Sequence, residues 1–361
     1  MADLTGLEAA LAGLEEPLLG RSLGELGLIQ SVEGRRLGPT RVTIGIPAPN
    51  HPRLSVLDRV VREALSAAGV RSAEVSFVPM DDAARQALVA KLSAGPGVGK
   101  PGSATRVVAV GSGKGGVGKS SVTTNLAVGL AEAGHSVGVI DADIWGFSIP
   151  KMLGIEHPPL VVEEKIIPPR AHGVKAMSMD YFVDEDTAVI WRGPMLHKAI
   201  EQFITDVLWD SPDFLLVDMP PGTGDVAISL SQFLPRAQVL LVTTPQPTAQ
   251  RVARRAGLMA KKVNQEVLGV VENMSWFTGD DGKRYELFGK GGGGALAGEL
   301  GVPLMAQIPL ILAMREGADE GVPAMIAAPQ SEAAEAFRNL VKAVVERRPR
   351  VRTRPELVIK G

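Results

Sequence analysis

Apolar and polar positions follow two different patterns along the chain, and the second begins at residue 106. From there, short continuous apolar runs alternate with longer helical segments, which is typical of parallel strands buried on both faces of a sheet. The sequence therefore predicts an α/β fold with a mostly parallel sheet covered by helices on both faces. The predicted strands are RVVAV (106–110), SVGVID (136–141), DFLLVD (213–218), QVLLVT (238–243), VLGVVEN (267–273) and PLMAQIP (303–309).

The first 93 residues show a more mixed pattern. Helical spacing in LTGLEAALAGL and SVLDRVVREALSAAG alternates with strand-like RVTIGIPAP and AEVSFVPM. We therefore expect a small α/β domain at residues 1–93. The stretch AGPGVGKPGSAT has no hydrophobic period and predicts a flexible linker at 94–105. The large α/β domain would then span 106–346, followed by a basic, arginine-rich tail at 347–361.

Composition excludes several classes of protein. The chain has 361 residues, of which 45% are hydrophobic and 22% charged, with a net charge of −2. Such a balance is ordinary for a globular protein and gives no general attraction to nucleic acid or anionic membranes. No apolar run is long enough for a membrane span, and the N-terminus is acidic before its first apolar stretch. We therefore expect a cytoplasmic protein with no membrane partner, and we do not expect it to bind nucleic acid.

Polar side chains end three of the predicted strands. Asp141, Asp218 and Asn273 each follow an apolar run. Because the ligand crevice of an open α/β sheet lies at the carboxyl ends of its strands, these side chains predict a binding site at one edge of the sheet.

The segment GSGKGGVGKS (111–120) contains the pattern G-x-x-x-x-G-K-[ST], from Gly113 to Ser120, between a predicted strand and a predicted helix. Glycines let successive backbone N–H groups point at a phosphate, and the helix adds the positive end of its dipole. Lys119 would bind the outer phosphates, and the Ser120 hydroxyl would bind Mg²⁺. The loop therefore predicts nucleoside triphosphate binding. The candidate residues are Gly113, Lys114, Gly115, Gly116, Val117, Gly118, Lys119, Ser120 and Ser121.

The early lysine, Lys114, gives the loop the form K-G-G-V-G-K-S, which resembles the deviant Walker-A ATPases of the MinD/ParA/nitrogenase-iron-protein superfamily. The resemblance implies a homodimer in which Lys114 reaches the nucleotide of the partner subunit, as an arginine finger does. It makes Lys114 and Lys119 catalytic candidates.

The same resemblance implies roles for the polar residues at the strand ends. Asp141 would lie near Mg²⁺, and Asp143 would orient or deprotonate the attacking water. Asp218 would hold Mg²⁺ through water, and Asn273 would contact the edge of the adenine. The cofactors implied are ATP and Mg²⁺.

Longer strings resemble one branch of that superfamily, the Mrp/ApbC-type iron–sulfur cluster carriers. The strings are DADIWGFSIPKMLG, WRGPM, DMPPGTGD and GVVENMSWF, and LEEPLLGRSLGELGLIQSV in the first domain is similar to a small iron–sulfur assembly domain. The resemblance implies an ATP-hydrolysing, Mg²⁺-dependent homodimer that carries a [4Fe–4S] cluster to apo iron–sulfur proteins or scaffold proteins. A positioning ATPase of the MinD/ParA kind and a nucleotide-switched scaffold remain alternatives.

The chain departs from that family in its ligands. In the carriers, ENMS leads into a C-x-x-C pair, whereas this chain continues WFTGDDGKRYELFGKGGG and contains no cysteine. PAPNHP likewise stands where the first domain often has a cysteine. Iron in such clusters prefers thiolate, so we expect no iron–sulfur ligands and a simple hairpin at TGDDGKRYE. If a cluster were nevertheless bound, Asp280, Asp281 and His51 would be the candidate ligands.

Overall fold

The computed structural model describes residues 4–34, 38–143, 146–182, 193–222 and 224–349. The elements of the first 105 residues are α1 (Leu4–Ala12), α2 (Leu23–Leu26), β1 (Ile29–Glu33), β2 (Thr40–Ile46), α3 (Leu54–Ala67), β3 (Ala73–Pro79) and α4 (Asp82–Leu92). Those that follow, up to residue 218, are β4 (Arg106–Ser112), α5 (Lys119–Glu132), β5 (Val137–Asp141), α6 (Ile149–Met152), β6 (Leu160–Val162), β7 (Lys165–Ile167), β8 (Arg170–Ala171), β9 (Val174–Ser178), α7 (Gly193–Thr205) and β10 (Phe214–Asp218). The remaining elements are α8 (Asp225–Phe233), β11 (Gln238–Thr243), α9 (Pro247–Lys262), β12 (Glu266–Thr278), β13 (Arg284–Tyr285), α10 (Gly292–Leu300), β14 (Leu304–Leu310), α11 (Leu312–Glu320), α12 (Ala324–Ala327) and α13 (Glu332–Glu346).

All six predicted strands of the large domain form, as β4, β5, β10, β11, β12 and β14. The α/β fold with mostly parallel strands and flanking helices is confirmed. The largest difference in length is in β12, which continues to Thr278 because its end pairs with β13 on one side and with β14 on the other. The strands β6 to β9 are not predicted by the sequence, because β6 to β8 have only two or three residues each and Lys175 interrupts the apolar run of β9.

The chain forms two compact units, and both are discontinuous in sequence. The first unit combines Met1–Thr105 with Ala131–Leu215, and the second combines Arg106–Leu130 with Leu216–Gly361. The domain limits drawn from the sequence, at 93 and 106, stay a prediction. The predicted basic tail lies outside the described residues from position 350 onward.

The first unit contains the sheet β1-β2-β3, in which β1 is antiparallel and β3 parallel to β2, and a second group in which β9 lies parallel to β5. One hydrophobic cluster joins the elements of the first 92 residues to β6 and β7, through Leu160, Val162 and Ile167, and to Leu208. These later strands therefore contribute to the same hydrophobic core.

The predicted linker lies within the first unit and contacts other parts of it. Val98 is buried, with 4% of its surface exposed, and the Ala94 carbonyl accepts a hydrogen bond from the Ser211 hydroxyl at 3.5 Å. Parts of the segment are therefore held in place by packing.

In the second unit the strand order is β13-β12-β11-β4-β10, with β14 also beside β12. β11 is parallel to both β4 and β12, with Leu240 opposite Val110 and Gly269. The carboxyl ends of these strands therefore lie at one edge of the sheet, where residues 113–118 follow β4 and Thr243 ends β11. The expectation that Asn273 ends its strand is wrong, because β12 continues to Thr278 and Asn273 pairs with Ile308 inside it.

Helix α13 closes the second unit. It buries Phe337, Leu340 and Val344, and the Arg106 guanidinium donates to the carbonyls of Val344 and Arg347 at the end of the helix. Within the described part of the chain, no helix has the length and apolar character that crossing a bilayer requires.

Candidate nucleotide-binding site

The loop between β4 and α5 needs glycine at particular positions. Gly116 and Gly118 have φ values of 77° and 76°, in the left-handed region that side chains with a Cβ disfavour. At Gly113 the reason is space, because a Cβ would lie 2.1 Å from the backbone nitrogen of Ala253 in α9. The helix thus packs directly on the loop and fixes its path.

Asn273 lies beneath this loop. It is buried, with 2% of its surface exposed, and its Nδ2 donates to the Val117 carbonyl at 2.9 Å. A Cβ on Gly118 would lie 2.2 Å from the same Nδ2, so Gly118 allows the amide to approach. The Asn273 Oδ1 has no hydrogen-bond partner among the described residues. The amide supports the loop, and its adenine contact stays a prediction.

Three of the residues predicted for the outer phosphates and for Mg²⁺, namely Lys119, Ser120 and Asp218, are brought together at the start of α5. Lys119 Nζ lies 2.5 Å from Asp218 Oδ2, and the Ser120 hydroxyl donates to the same oxygen at 2.6 Å. Lys119 is 6% exposed and Asp218 is fully buried. Two buried opposite charges in direct contact satisfy each other, which is the condition for keeping either in a protein interior.

A third donor, Thr123, was not among the predicted residues. Its hydroxyl lies 2.6 Å from Asp218 Oδ1 and 3.0 Å from the Lys119 carbonyl. Thr123 stands four residues after Lys119 in α5, on the same face of the helix. The available signal in the sequence was a polar residue at that spacing within a buried helix.

Lys114 is held within its own subunit. Its Nζ donates to Gln246 Oε1 at 3.1 Å, and Gln246 immediately precedes α9. A neutral amide holds an ammonium group less strongly than a carboxylate does. Lys114 therefore has a hydrogen-bond acceptor, Gln246, that it can exchange for another. Its action on the nucleotide of a partner subunit stays a prediction.

Asp141 and Asp143 belong to the first unit. Asp141 is fully buried, and its Oδ2 accepts from the backbone N–H groups of Ser148 and Ile149 at 2.9 and 3.1 Å. Its Oδ1 accepts from the Asp143 N–H at 3.2 Å. Asp141 therefore fixes the backbone at Asp143, Ser148 and Ile149. Burial first, then the charges of Asp180 and Asp141, raise the pKa of Tyr181.

The donor set at Ser120 and Asp218 fits Mg²⁺. Both offer oxygen, the ligand type that this hard cation prefers, and the two oxygens lie 2.6 Å apart. The Lys119 ammonium already occupies a cation position on Asp218 Oδ2. The roles of these residues in metal binding stay predictions.

The predicted hairpin after β12 is confirmed. β13 is antiparallel to β12, with Phe277 opposite Tyr285, and Gly279 and Gly282 lie in the turn. Asp281 accepts from the Lys283 N–H at 3.0 Å and from the Tyr285 hydroxyl at 2.9 Å. These bonds, that of Lys283 first, lower the pKa of Asp281.

His51 serves the core of the first unit. Its side chain is fully buried, with Nε2 2.9 Å from Glu16 Oε1, and its Nδ1 accepts from the Arg53 N–H at 3.3 Å. Among the described residues no group of three or more His, Asp or Glu side chains could hold a metal ion. With no cysteine in the chain, the residues present do not fit an iron–sulfur cluster. Asp281 and His51 are committed to other partners.

Comparison with known proteins agrees with the geometry of the loop. A family model described as ParA, NUBPL iron-transfer P-loop NTPase, matches residues 103–345. This chain belongs to that family. The resemblance stated from the sequence is confirmed, and the protein is an ATP-hydrolysing P-loop NTPase.

The similarity to individual relatives extends beyond residues 103–345. The iron-sulfur cluster carrier protein of Mycobacterium tuberculosis is 43% identical over 354 residues, covering 95% of this chain and 93% of the relative. The protein of the same name from Bacillus subtilis is 42% identical and covers 82% and 85%. The first-unit segments are thus part of the similarity to the mycobacterial relative.

Solved structures share the fold. The nucleotide-binding protein of Archaeoglobus fulgidus, in complex with ADP, is 33% identical with a TM-score of 0.56, covering 65% of this chain and 93% of that one. The cell division ATPase MinD of Pyrococcus furiosus is 26% identical with a TM-score of 0.51, covering 67% and 98%.

Proposed function

We propose that this protein is a nucleotide-gated, homodimeric ATPase of iron–sulfur assembly that uses thiolates supplied by a partner. The observation that carries the proposal is a contrast within one chain. The cluster of Lys119, Ser120 and Asp218 brings together a lysine, a hydroxyl and a carboxylate suited to phosphate and Mg²⁺, while the chain has no cysteine to hold an iron–sulfur cluster. The names of its relatives indicate the cargo.

ATP binding would rearrange the buried charges. Lys119 would leave Asp218 for the outer phosphates, and the backbone N–H groups of residues 113–121 would bind the remaining phosphate oxygens. Ser120 and Asp218 would hold Mg²⁺, partly through water. When bound, this ion neutralises phosphate charge. The free Oδ1 of Asn273 is an acceptor suited to the exocyclic amine of adenine.

Three further residues keep the roles that the resemblance implies. Lys114 would exchange Gln246 for the phosphate charge developing in the partner subunit. Asp143 would orient the attacking water and accept its proton, and Asp141 would serve the metal site. Phosphoryl transfer needs positioning and charge neutralisation, and these groups supply both.

The cluster would be held elsewhere. Cluster affinity comes from deprotonated ligands in a defined geometry, and a carboxylate hairpin cannot replace two thiolates. We therefore propose that the ATP-bound dimer docks onto an apo iron–sulfur protein or a scaffold protein whose cysteines hold the iron. The cytoplasmic location expected from the sequence stays a prediction.

Co-sedimentation and pull-down under anaerobic conditions test this function. The dimer, with ATP and Mg²⁺, should retain a cysteine-bearing scaffold protein, and exchange of ATP for ADP should release it. Lys119→Ala is the control that should lose the nucleotide response. Retention that ignores the nucleotide would contradict the proposal, as would ATP-dependent pelleting with liposomes or DNA, which is the behaviour of a positioning ATPase.

A further inference from the structure

The two carboxylate oxygens of Asp218 have different partners. Oδ2 receives Lys119 Nζ at 2.5 Å and the Ser120 hydroxyl at 2.6 Å. Oδ1 receives the Thr123 hydroxyl at 2.6 Å. Asp218 and Thr123 are both fully buried, so the bond between them is shielded from water.

The Thr123 hydroxyl has a single proton and two acceptors within reach. The contact with Asp218 is the shorter, 2.6 Å against 3.0 Å for the Lys119 carbonyl. A hydrogen bond to an ionised carboxylate is also stronger than one to a neutral carbonyl. The proton therefore goes to Asp218, and the carbonyl contact is the ordinary approach of a threonine to the preceding helical turn.

The partners of Oδ2 are the ones that ATP and Mg²⁺ would take away. Under the function proposed above, Lys119 moves to the phosphates and Ser120 turns to the metal. Thr123 has no such second task, since it lies one turn inside α5 and binds the other oxygen. Its bond would persist while Oδ2 exchanges Lys119 for the hydrated metal ion.

We infer that Thr123 is a positioning residue that anchors Asp218 through Oδ1, and that this anchor sets the affinity of the site for the divalent cation. The inference rests on the proposed role of Asp218 at the metal. It follows from the different partners of the two oxygens of Asp218. Oδ1 keeps its bond to Thr123, while Oδ2 is available to the metal ion once Lys119 and Ser120 have left it.

The test measures Mg²⁺ itself, without turnover. A fluorescent, non-hydrolysable ATP analogue is bound to the full-length dimer, and Mg²⁺ is titrated in from a chelated start. Thr123→Val keeps the shape of the side chain and removes the hydroxyl. It should raise the Mg²⁺ concentration for half-maximal response by about tenfold or more, the effect of losing a charge-assisted bond. Analogue binding without Mg²⁺ should stay within about twofold.

Two variants serve as controls. Thr123→Ser keeps the hydroxyl and should restore the Mg²⁺ response to near that of the parent. Ser275→Ala removes the hydroxyl of another buried side chain, one that donates to the Glu272 carbonyl at 2.9 Å, and should leave the response unchanged. An unchanged response in Thr123→Val, or no recovery in Thr123→Ser, would overturn the inference.

Asp218→Asn separates the inference from the function on which it rests. If Asp218→Asn weakens the Mg²⁺ response and Thr123→Val does not, only the anchoring role fails. If neither variant changes it, the metal site itself is misassigned. Thermal unfolding of each variant shows whether it is folded, and Thr123→Ser keeps the test decisive if Thr123→Val unfolds.

Discussion

The phosphate loop and the hairpin that follows β12 both continue strands of the second unit, yet they differ in what their side chains do. In the loop, charged side chains are buried and act on one another, as Lys119 and Asp218 do. In the hairpin, Asp281 and Lys283 are exposed and bind each other, and Asp281 also accepts from the Tyr285 hydroxyl. The charged side chains of the phosphate loop are arranged to bind a ligand, whereas those of the hairpin stabilise the turn itself.

Glycines are dense in both regions, but for different reasons. The run of glycines after the hairpin is needed for packing: a Cβ on Gly292 would lie 2.4 Å from the Pro245 carbonyl oxygen, and one on Gly293 would lie 2.6 Å from the Glu272 Cβ. The Gly293 N–H also donates to the buried Glu272 carboxylate at 2.5 Å. A glycine-rich frame at the expected cluster position therefore needs no cluster to explain it.

The largest expected effect is that of Lys119→Ala. Removing the ammonium leaves Asp218 as an unpaired buried charge and deprives the phosphates of their central cation, so ATP binding and turnover should fall below detection. Isothermal titration and a phosphate-release assay measure both. Lys290→Ala, a lysine of the hairpin side with 78% of its side chain exposed, is the matched control and should behave like the parent. Normal turnover by Lys119→Ala would break the comparison outright.

Lys114→Ala should separate binding from hydrolysis. A second cation on the transferred phosphate is worth about 10³-fold or more in rate, and the bond to Gln246 that the variant loses lies outside the phosphate site. We expect ATP affinity within about threefold of the parent and hydrolysis lowered by that factor. Steady-state turnover beside direct binding checks it, with Lys283→Ala in the hairpin as control. Parent-like hydrolysis by Lys114→Ala would make it an ordinary loop lysine.

Asp143→Asn should give a smaller loss of rate. An amide cannot accept the proton of the attacking water, which costs about 10²-fold or more, while ATP stays bound. Single-turnover hydrolysis of bound ATP measures this step apart from binding. Asp281→Asn is its counterpart in the hairpin, and an equal loss in both variants would show that the two regions are not functionally distinct.

The smallest effect concerns the support of the hairpin. The Glu332 carboxylate accepts from Trp276, Thr278 and Arg284, and these bonds, that of Trp276 first, lower the pKa of Glu332. A carboxylate with a lowered folded-state pKa contributes stability above its unfolded value and loses it as the pH falls through the folded one.

Glu332→Gln should therefore lower the free energy of unfolding at pH 7 by less than about 1 kcal/mol, because the group is partly exposed. The difference from the parent should shrink as the pH falls below about 4. Urea unfolding at several pH values checks this. A deficit that persists at low pH would locate the contribution in packing, and a change in ATP turnover would couple the hairpin to the phosphate loop.

Local patterns explain what the sequence could predict. Buried strands are recognisable in the sequence as apolar runs, and the phosphate loop has a fixed spacing of glycines and lysine. The positions of β4, α5 and Lys119 could therefore be predicted from the sequence alone. Thr123, Gln246 and Glu272 could not, because their partners are far away in sequence: Thr123 meets a residue 95 positions further on. The burial of His51 against Glu16 was equally hidden, since each side chain alone is typical of a surface.

The central claim is that this chain keeps the nucleotide machinery and lacks a cluster of its own. Iron and acid-labile sulfide per subunit, measured after anaerobic reconstitution and desalting of a sample with confirmed ATPase activity, tests it most directly. The account predicts far less than one [4Fe–4S] cluster per active dimer and no broad iron–sulfur absorption at about 400 nm. Four iron and four sulfide per dimer, retained through desalting, would contradict it.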